Sequence, residues 1–252
     1  MNDLLILNYH SIFESEEDGK EDSVYSVHAK EFRKQMEFIQ MLGYKVVPVD
    51  SLMSLKPDNT PYVAITFDDA NPSDYLFAAP ILNEFGFKAT FYLPVNKLTD
   101  AIIQQYQVLL ESGHKLGAHG ITHSYFTDLD VKTQHSELDQ SKKMIEAIFS
   151  TTNDYFALPG GKYSKETIDL AKQTGFKGLL TTKFGYIDFD KPSYLLNRYT
   201  IKRKTSFTTF QRVLLRNKTT LMLETNKSKM KKMLNLFLSN QMIDRLNYKL
   251  NK

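Results

Sequence analysis

Short apolar runs alternate with amphipathic stretches along most of this chain, and that rhythm restricts the fold more than any other feature. Residues 4–9 (LLILNY) and 62–69 (YVAITFDD) are apolar on both faces. A strand of that kind needs cover on both sides, which is the condition of a strand in a parallel sheet. After the first run, Phe32, Met36 and Ile39 recur at helical spacing and Gly43 marks a stop. The pattern then predicts a strand at 46–49, a helix at 75–85 ending at Gly86, a strand at 89–95, and a helix at 99–112 ending at Gly113. A strand at 115–118, a long helix at 130–149 and a strand at 155–158 follow. Ser164 reads as the N-cap of a helix running to Thr174 and closed by Gly175. Strands are expected at 178–182 and 194–202. The alternation predicts an α/β fold with a mainly parallel sheet, open or closed into a barrel. Residues 18–22, inside an acidic loop from Glu14 to Asp22, read as an irregular surface segment.

Composition narrows the chemistry. Hydrophobic residues make up 42% of the 252 positions, enough for a core without covalent staples. The absence of cysteine excludes disulfides, iron–sulfur sites and a thiol nucleophile. Met1 to His10 lacks the basic and apolar regions of a secretory signal, and no stretch reaches the ~18 apolar residues of a membrane span. The expectation is a cytoplasmic protein, peripheral at the inner face of the membrane. The net charge of +3 is a near-cancellation. Residues 200–252 hold 13 Lys/Arg against 2 Asp/Glu, and residues 1–199 hold 19 against 27. In the basic tail, Met230, Met233, Leu234, Phe237 and Leu238 form a helical apolar stripe. Lys227, Lys229, Lys231 and Lys232 crowd the start of that stripe, where cations oppose the helix dipole. Two accounts fit: a helix packed on the body with solvated lysines, or contact with an anionic membrane or a lipid-linked, phosphorylated glycan. The tail carries no nucleic-acid-binding motif, so nucleic acid is not an expected partner.

Active sites of parallel α/β folds gather at the carboxyl ends of strands. Asp68 and Asp69 end one expected strand, His119 and His123 follow another, His10 ends the first, and Pro159-Gly160-Gly161 ends a fourth. Two histidines four apart can face one way on a helical turn, and one carboxylate completes a metal-binding triad with open positions. A second carboxylate beside it can take a proton from water. Each feature also has a plain structural reading: Asp-Asp as a turn with a helix cap, His10 as a packed ring, Pro-Gly-Gly as a turn.

Together these runs resemble a known family. Thr66-Phe67-Asp68-Asp69-Ala70 resembles the TFDDG motif of the polysaccharide deacetylases, the NodB-homology carbohydrate esterases of family 4. His119-Gly120-Ile121-Thr122-His123 resembles their H-[ST]-x-x-H motif, and the run from Phe156 to Gly161 their R-x-P-[YF]-G motif. The resemblance covers residues 1–203 and leaves 204–252 as a basic helical extension packed on the catalytic domain. It implies a deformed (β/α) barrel and removal of an N-acetyl group from an N-acetylhexosamine such as GlcNAc, in a cell-surface glycan or its precursor; the missing export signal points to a precursor made on the cytoplasmic side, such as one of lipopolysaccharide or capsule. It implies Asp68 as general base, and Asp69, His119 and His123 as ligands of a divalent metal, zinc first, with cobalt or nickel as alternatives. It implies Gly160 as an oxyanion donor, with Pro159, Gly161 and Arg198 on the substrate side.

The departures from the pattern are specific. Ala70 replaces a glycine. Ala157 stands where the family has an arginine that positions the base, with Arg198 or Lys162 as candidate substitutes. No tryptophan exists for the fourth motif, and no histidine follows His135 for the fifth. Asn8-Tyr9-His10 resembles the early Tyr-His motif of the permuted poly-N-acetylglucosamine deacetylases, which makes His10 the candidate general acid. The alternatives are an inactive sugar-binding protein of the same fold and a deacetylase of O-acetyl groups.

Overall fold

A computed structural model describes residues 3–15, 24–55, 60–191, 193–237 and 242. The acidic segment 18–22 therefore lies outside the described residues, as do Leu238 and the side chains of Lys231, Lys232, Leu234 and Phe237.

Twelve strands and seven α-helices follow one another in the described chain. The strands are β1 (Asp3–Tyr9), β2 (Ser11–Phe13), β3 (Ser26–His28), β4 (Lys45–Val46), β5 (Tyr62–Asp68), β6 (Thr90–Leu93), β7 (Lys115–Ala118), β8 (Tyr155–Ala157), β9 (Gly178–Leu180), β10 (Ile187–Asp188), β11 (Leu195–Leu196) and β12 (Tyr199–Thr200). The helices are α1 (Ala29–Met41), α2 (Ala79–Glu84), α3 (Asp100–Glu111), α4 (Val131–Phe149), α5 (Lys165–Gln173), α6 (Phe207–Leu214) and α7 (Lys218–Phe237).

The main sheet runs β10-β1-β5-β6-β7-β8-β9-β11, parallel from β1 to β11, with only β10 antiparallel on β1. β12 pairs with β1 from the same chain segment that supplies β11. Leu196 ends β11 on β9 and Tyr199 begins β12 on β1, so the two sheet edges are separated by a stretch of chain that spans at most ~10 Å. The sheet therefore curls into a nearly closed barrel, and this seam joins its edges.

Side-chain alternation divides the core in two. Leu4, Ile6, Ala64, Tyr92, Tyr155, Ala157, Leu180 and Leu196 fill the barrel interior. Leu5, Leu7, Tyr9, Val63, Ile65, Phe67 and Phe91 face outward and pack under the helices. Tyr9, Phe67 and Phe91 stack along the outer face, with ring centroids 5.4 and 5.0 Å apart. Such pairs contribute about 0.5–1.5 kcal/mol each beyond the area they bury. The Tyr9 hydroxyl donates to Gln35 Oε1 at 2.6 Å and ties the end of β1 to α1. His10, the next residue, thus leaves a fixed strand end.

Several expected elements differ in detail. The strand at 46–49 shortens to β4 because Pro48 caps a 3₁₀ turn over Val49–Ser54. The helix at 75–85 opens with a π turn at Asp74–Ala78 before becoming α2. The strand at 194–202 is two short strands, since the chain turns inward at Arg198 between them. In α7, Met230 and Met233 of the apolar stripe are each 57% exposed, so the described part of that stripe is not covered by the body.

Candidate active site

The carboxyl ends of β5, β7 and β8 meet at one mouth of the barrel. Asp68 is the last residue of β5 and points inward with Thr66, one strand pleat away from outward-facing Phe67. Asp69 then leaves the strand with φ 84° and Ala70 with φ 53°. This left-handed bend turns two adjacent carboxylates to different tasks, and Ala70 bears a strain that a glycine would not. Lys97 Nζ fixes the bend by donating to the Asp69 carbonyl at 2.8 Å.

His119 and His123 come from the loop after β7, not from a helical turn as the spacing suggested. Gly120 (φ 82°) and His123 (φ 61°) reverse the chain there. Glu137 of α4 organises the loop, accepting from Ile121 N at 2.6 Å, Thr122 N at 3.2 Å and Thr122 Oγ1 at 2.7 Å. A Cβ at Gly120 would stand 2.8 Å from Glu137 Oε2, so glycine admits the carboxylate. Sequence reading missed Glu137; its signal was an acid on the buried face of α4 beside Gln134, Leu138 and Ser141.

The loop brings three donors together. His119 Nε2 lies 3.3 Å and His123 Nε2 2.9 Å from Asp69 Oδ1, and all three ligand atoms fall within 4.8 Å of one another. His119 Nδ1 pairs with the Ala157 carbonyl at 2.7 Å, which as a donor leaves Nε2 free to ligate. His119 is 2% exposed and His123 36%, so the cluster is buried on one side and open on the other. Two imidazoles and one carboxylate on an open face fit a divalent cation.

Electrostatics bind the carboxylates to their neighbours. Burial pushes Asp68 up, but the Arg198 guanidinium and the fields of His119 and His10 outweigh it and hold the carboxyl below its usual range. Burial likewise opposes the charged Asp69, and hydrogen bonding to His119 and His123 brings it well below that range. Burial lowers His119, and Asp68 and Asp69 more than reverse it.

Arg198 corrects one expectation. It was placed on the substrate side, yet it is 0% exposed and all its described contacts are internal. Its Nη1 and Nη2 grip Asp68 Oδ1 and Oδ2 at 2.8 and 2.7 Å, and Nε donates to the Thr181 carbonyl at 3.0 Å. Arg198 enters the barrel interior from the seam between β11 and β12, and Ala157 packs in that same interior. The guanidinium thus orients Asp68 and is not available to a ligand.

On the β8 side, Gly160 (φ 61°) and Gly161 (φ 68°) form a tight turn after Leu158. A Cβ on Gly160 would stand 2.5 Å from the Tyr125 ring and one on Gly161 2.4 Å from Thr182 N. Pro159, also expected on the substrate side, is buried beneath this turn, and Gly161 is half-buried against Thr182. His10 stacks on Tyr25, rings 4.6 Å apart, and its field reaches both Asp68 and Asp69.

A near-closed parallel barrel of this kind has the NodB-type deformed-barrel fold. Residues 56–179 match the polysaccharide deacetylase family. It is 29% identical over 214 residues to a putative polysaccharide deacetylase, YxkH, of Bacillus subtilis, covering 82% of this chain and 74% of that one. It is 27% identical over 125 residues to a peptidoglycan-N-acetylglucosamine deacetylase of Bacillus cereus, covering 49% of this chain and 58% of the relative. The fold matches the Streptococcus pyogenes deacetylase PplD, solved with acetate, at a TM-score of 0.74 and 23% identity, covering 85% of this chain and 97% of that one. No described helix is long and apolar enough to cross a membrane.

Proposed function

We propose that the chain is a metal-dependent hydrolase that removes the N-acetyl group from an N-acetylhexosamine, GlcNAc in the first instance, within a cell-surface glycan or its precursor. One observation carries this reading: Asp68 is buried and clamped by Arg198 directly beside the Asp69–His119–His123 donor cluster. Asp69, His119 and His123 would hold the cation, zinc first and cobalt or nickel as alternatives. When bound it supplies Lewis acidity to the acetamide carbonyl and to water.

Asp68 takes the proton from the attacking water, and its carboxylate is kept ionised by Arg198 for that purpose. The Gly160 N–H stabilises the oxygen that gains charge as water adds to the carbonyl. The C–N bond breaks, acetate leaves with the oxygen of water, and the departing amine takes a proton from His10. The glycines of the β8 turn let that backbone pack closely against Tyr125 and Thr182, which fixes the Gly160 N–H.

Ala157 and the missing tryptophan were the grounds for reading the chain as an inactive sugar binder. Arg198 answers the first of these, because it pairs with Asp68, the proposed base, from the seam between β11 and β12. The test is acetate release from N-acetylated and O-acetylated oligosaccharides, with and without a chelator. Release from the N-acetylated set, abolished by chelation, restored by a divalent metal and lost in Asp68→Asn, is the expected result. Full activity of Asp68→Asn would refute the base, and activity on O-acetyl groups alone would refute the amide substrate.

A further inference from the structure

The body of this chain is acidic, yet several lysines stand around the carboxylates of the proposed catalytic mouth. Resting on the deacetylase reading, we infer that the substrate carries a phosphate on or next to the N-acetylated sugar, read by a basic rim that includes Lys97, Lys202 and Lys227. Lys97 is exposed, and its ammonium donates to the carbonyl of Asp69 at 2.8 Å, which places it at the edge of the donor cluster. Lys202 Nζ stands 5.8 Å from the ring of Tyr25, the ring that stacks on His10. The next residue, Arg203, lies 4.4 Å over Phe13. Across the mouth, Lys162 follows the Gly160-Gly161 turn and sits 4.2 Å over Tyr125.

Helix α7 extends this arc. Ser228 Oγ accepts from Phe184 N at 3.3 Å, and Phe184 lies two residues beyond Thr182, whose hydroxyl donates to the Gly160 carbonyl at 3.1 Å. The middle of α7 is thereby tied to the loop that follows β9. Burial first lowers the Lys202 ammonium, the charge of Glu224 opposes it, and the charge of Lys227 lowers it further. Glu224 is itself held by Lys227 at 2.7 Å. Glu14, at the end of β2, is exposed and its field is felt at Arg33 on α1. Cations brought together in this way repel, and a bound anion removes the repulsion. The rim consists mostly of lysines, which bind phosphate as point charges.

The test compares kcat/KM for three chito-oligosaccharides of one length: neutral, phosphorylated at the reducing end, and capped by a uronic acid. At low ionic strength the phosphorylated one should be preferred to the neutral one by about fivefold or more, and about 0.5 M salt should bring the ratio close to one. Lys202→Gln and Lys227→Gln should each lower that ratio about two- to threefold, and Lys227→Glu further. A ratio near one at low salt, a ratio unmoved by these substitutions, or a preference for the uronic acid would overturn the inference. So would association with phosphatidylglycerol vesicles without discrimination among the oligosaccharides, which would assign the lysines to a membrane surface. If none of the three loses acetate, the deacetylase reading fails by itself. Calorimetry of the phosphorylated and neutral oligosaccharides with the Asp68→Asn variant then decides the rim: salt-sensitive preference supports it, and equal binding overturns it.

Discussion

Replacing Arg198 by methionine should damage stability and turnover together. Arg198 is fully buried and Asp68 is 2% exposed. The substitution removes both Nη donors to the carboxylate, the Nε donor to the Thr181 carbonyl, and a longer contact from Nη1 to Thr66 Oγ1 at 3.3 Å. An ionised carboxylate left unpaired in a barrel interior costs about 3–5 kcal/mol. For a chain of this size that corresponds to a fall in Tm of roughly 6–20 °C. Urea and thermal unfolding of Arg198→Met measure it. Asp68→Asn in the same background removes the stranded charge, so the double variant should be more stable than the two single losses predict, by about 2 kcal/mol or more. Turnover should fall at least about 100-fold, because the base loses its fixed orientation. Arg198→Lys keeps the charge but not the two-pronged grip and should fall between the two. Stability of Arg198→Met within about 1 kcal/mol of the parent, or additive losses in the cycle, would show that the pair is not what holds Asp68.

Two further predictions concern parts of the barrel away from that pair. Burial, helped by Asp154, pushes Asp50 up to about 6, so the folded state binds a proton that the unfolded chain releases near its ordinary value. Stability should therefore fall as pH rises from about 4 to about 6 and stay low above it, and Asp50→Asn should gain about 1–2 kcal/mol at pH 8 relative to pH 4 in urea unfolding; a pH-independent difference would refute the assignment. Gly161→Ala forces a Cβ to 2.4 Å from the Thr182 backbone at φ 68°, so it should cost about 1–3 kcal/mol and also lower acetate release by displacing Gly160, with unfolding and activity read on the same preparation.

How much of this was legible in the sequence depended on whether a feature was local. Ser164 as N-cap, Asp130 at the start of α4 and the glycines after α3 and α5 fell where expected, because capping is decided within a few residues. The three donor residues were also legible, since each follows a strand end. Their geometry was not: the spacing of His119 and His123 fits a helical turn equally well, and only the left-handed backbone at Gly120 and His123, with Glu137 from a helix later in the chain, decides for a loop. Likewise the run at 194–202 reads as one strand in the sequence. Its break at Arg198 is set by a carboxylate 130 positions earlier, which no local pattern contains.

That break also explains how a deacetylase pattern can lose its arginine at position 157 while Asp68, the proposed base, keeps a guanidinium partner. Asp68 lies inside a barrel, and the strands that line the barrel differ widely in sequence position but little in distance from its axis. A guanidinium can reach the carboxylate from more than one of them, provided the side chain opposite is small. Ala157 and Leu196 both line the interior, and Arg198 enters two residues past Leu196, where the seam closing the barrel must leave regular pairing in any case. The cost of turning the chain inward is thus carried by a segment that makes no continuous strand. A motif residue missing from its usual place in such a barrel argues for inactivity only after the other inward-facing positions have been checked for the same charge.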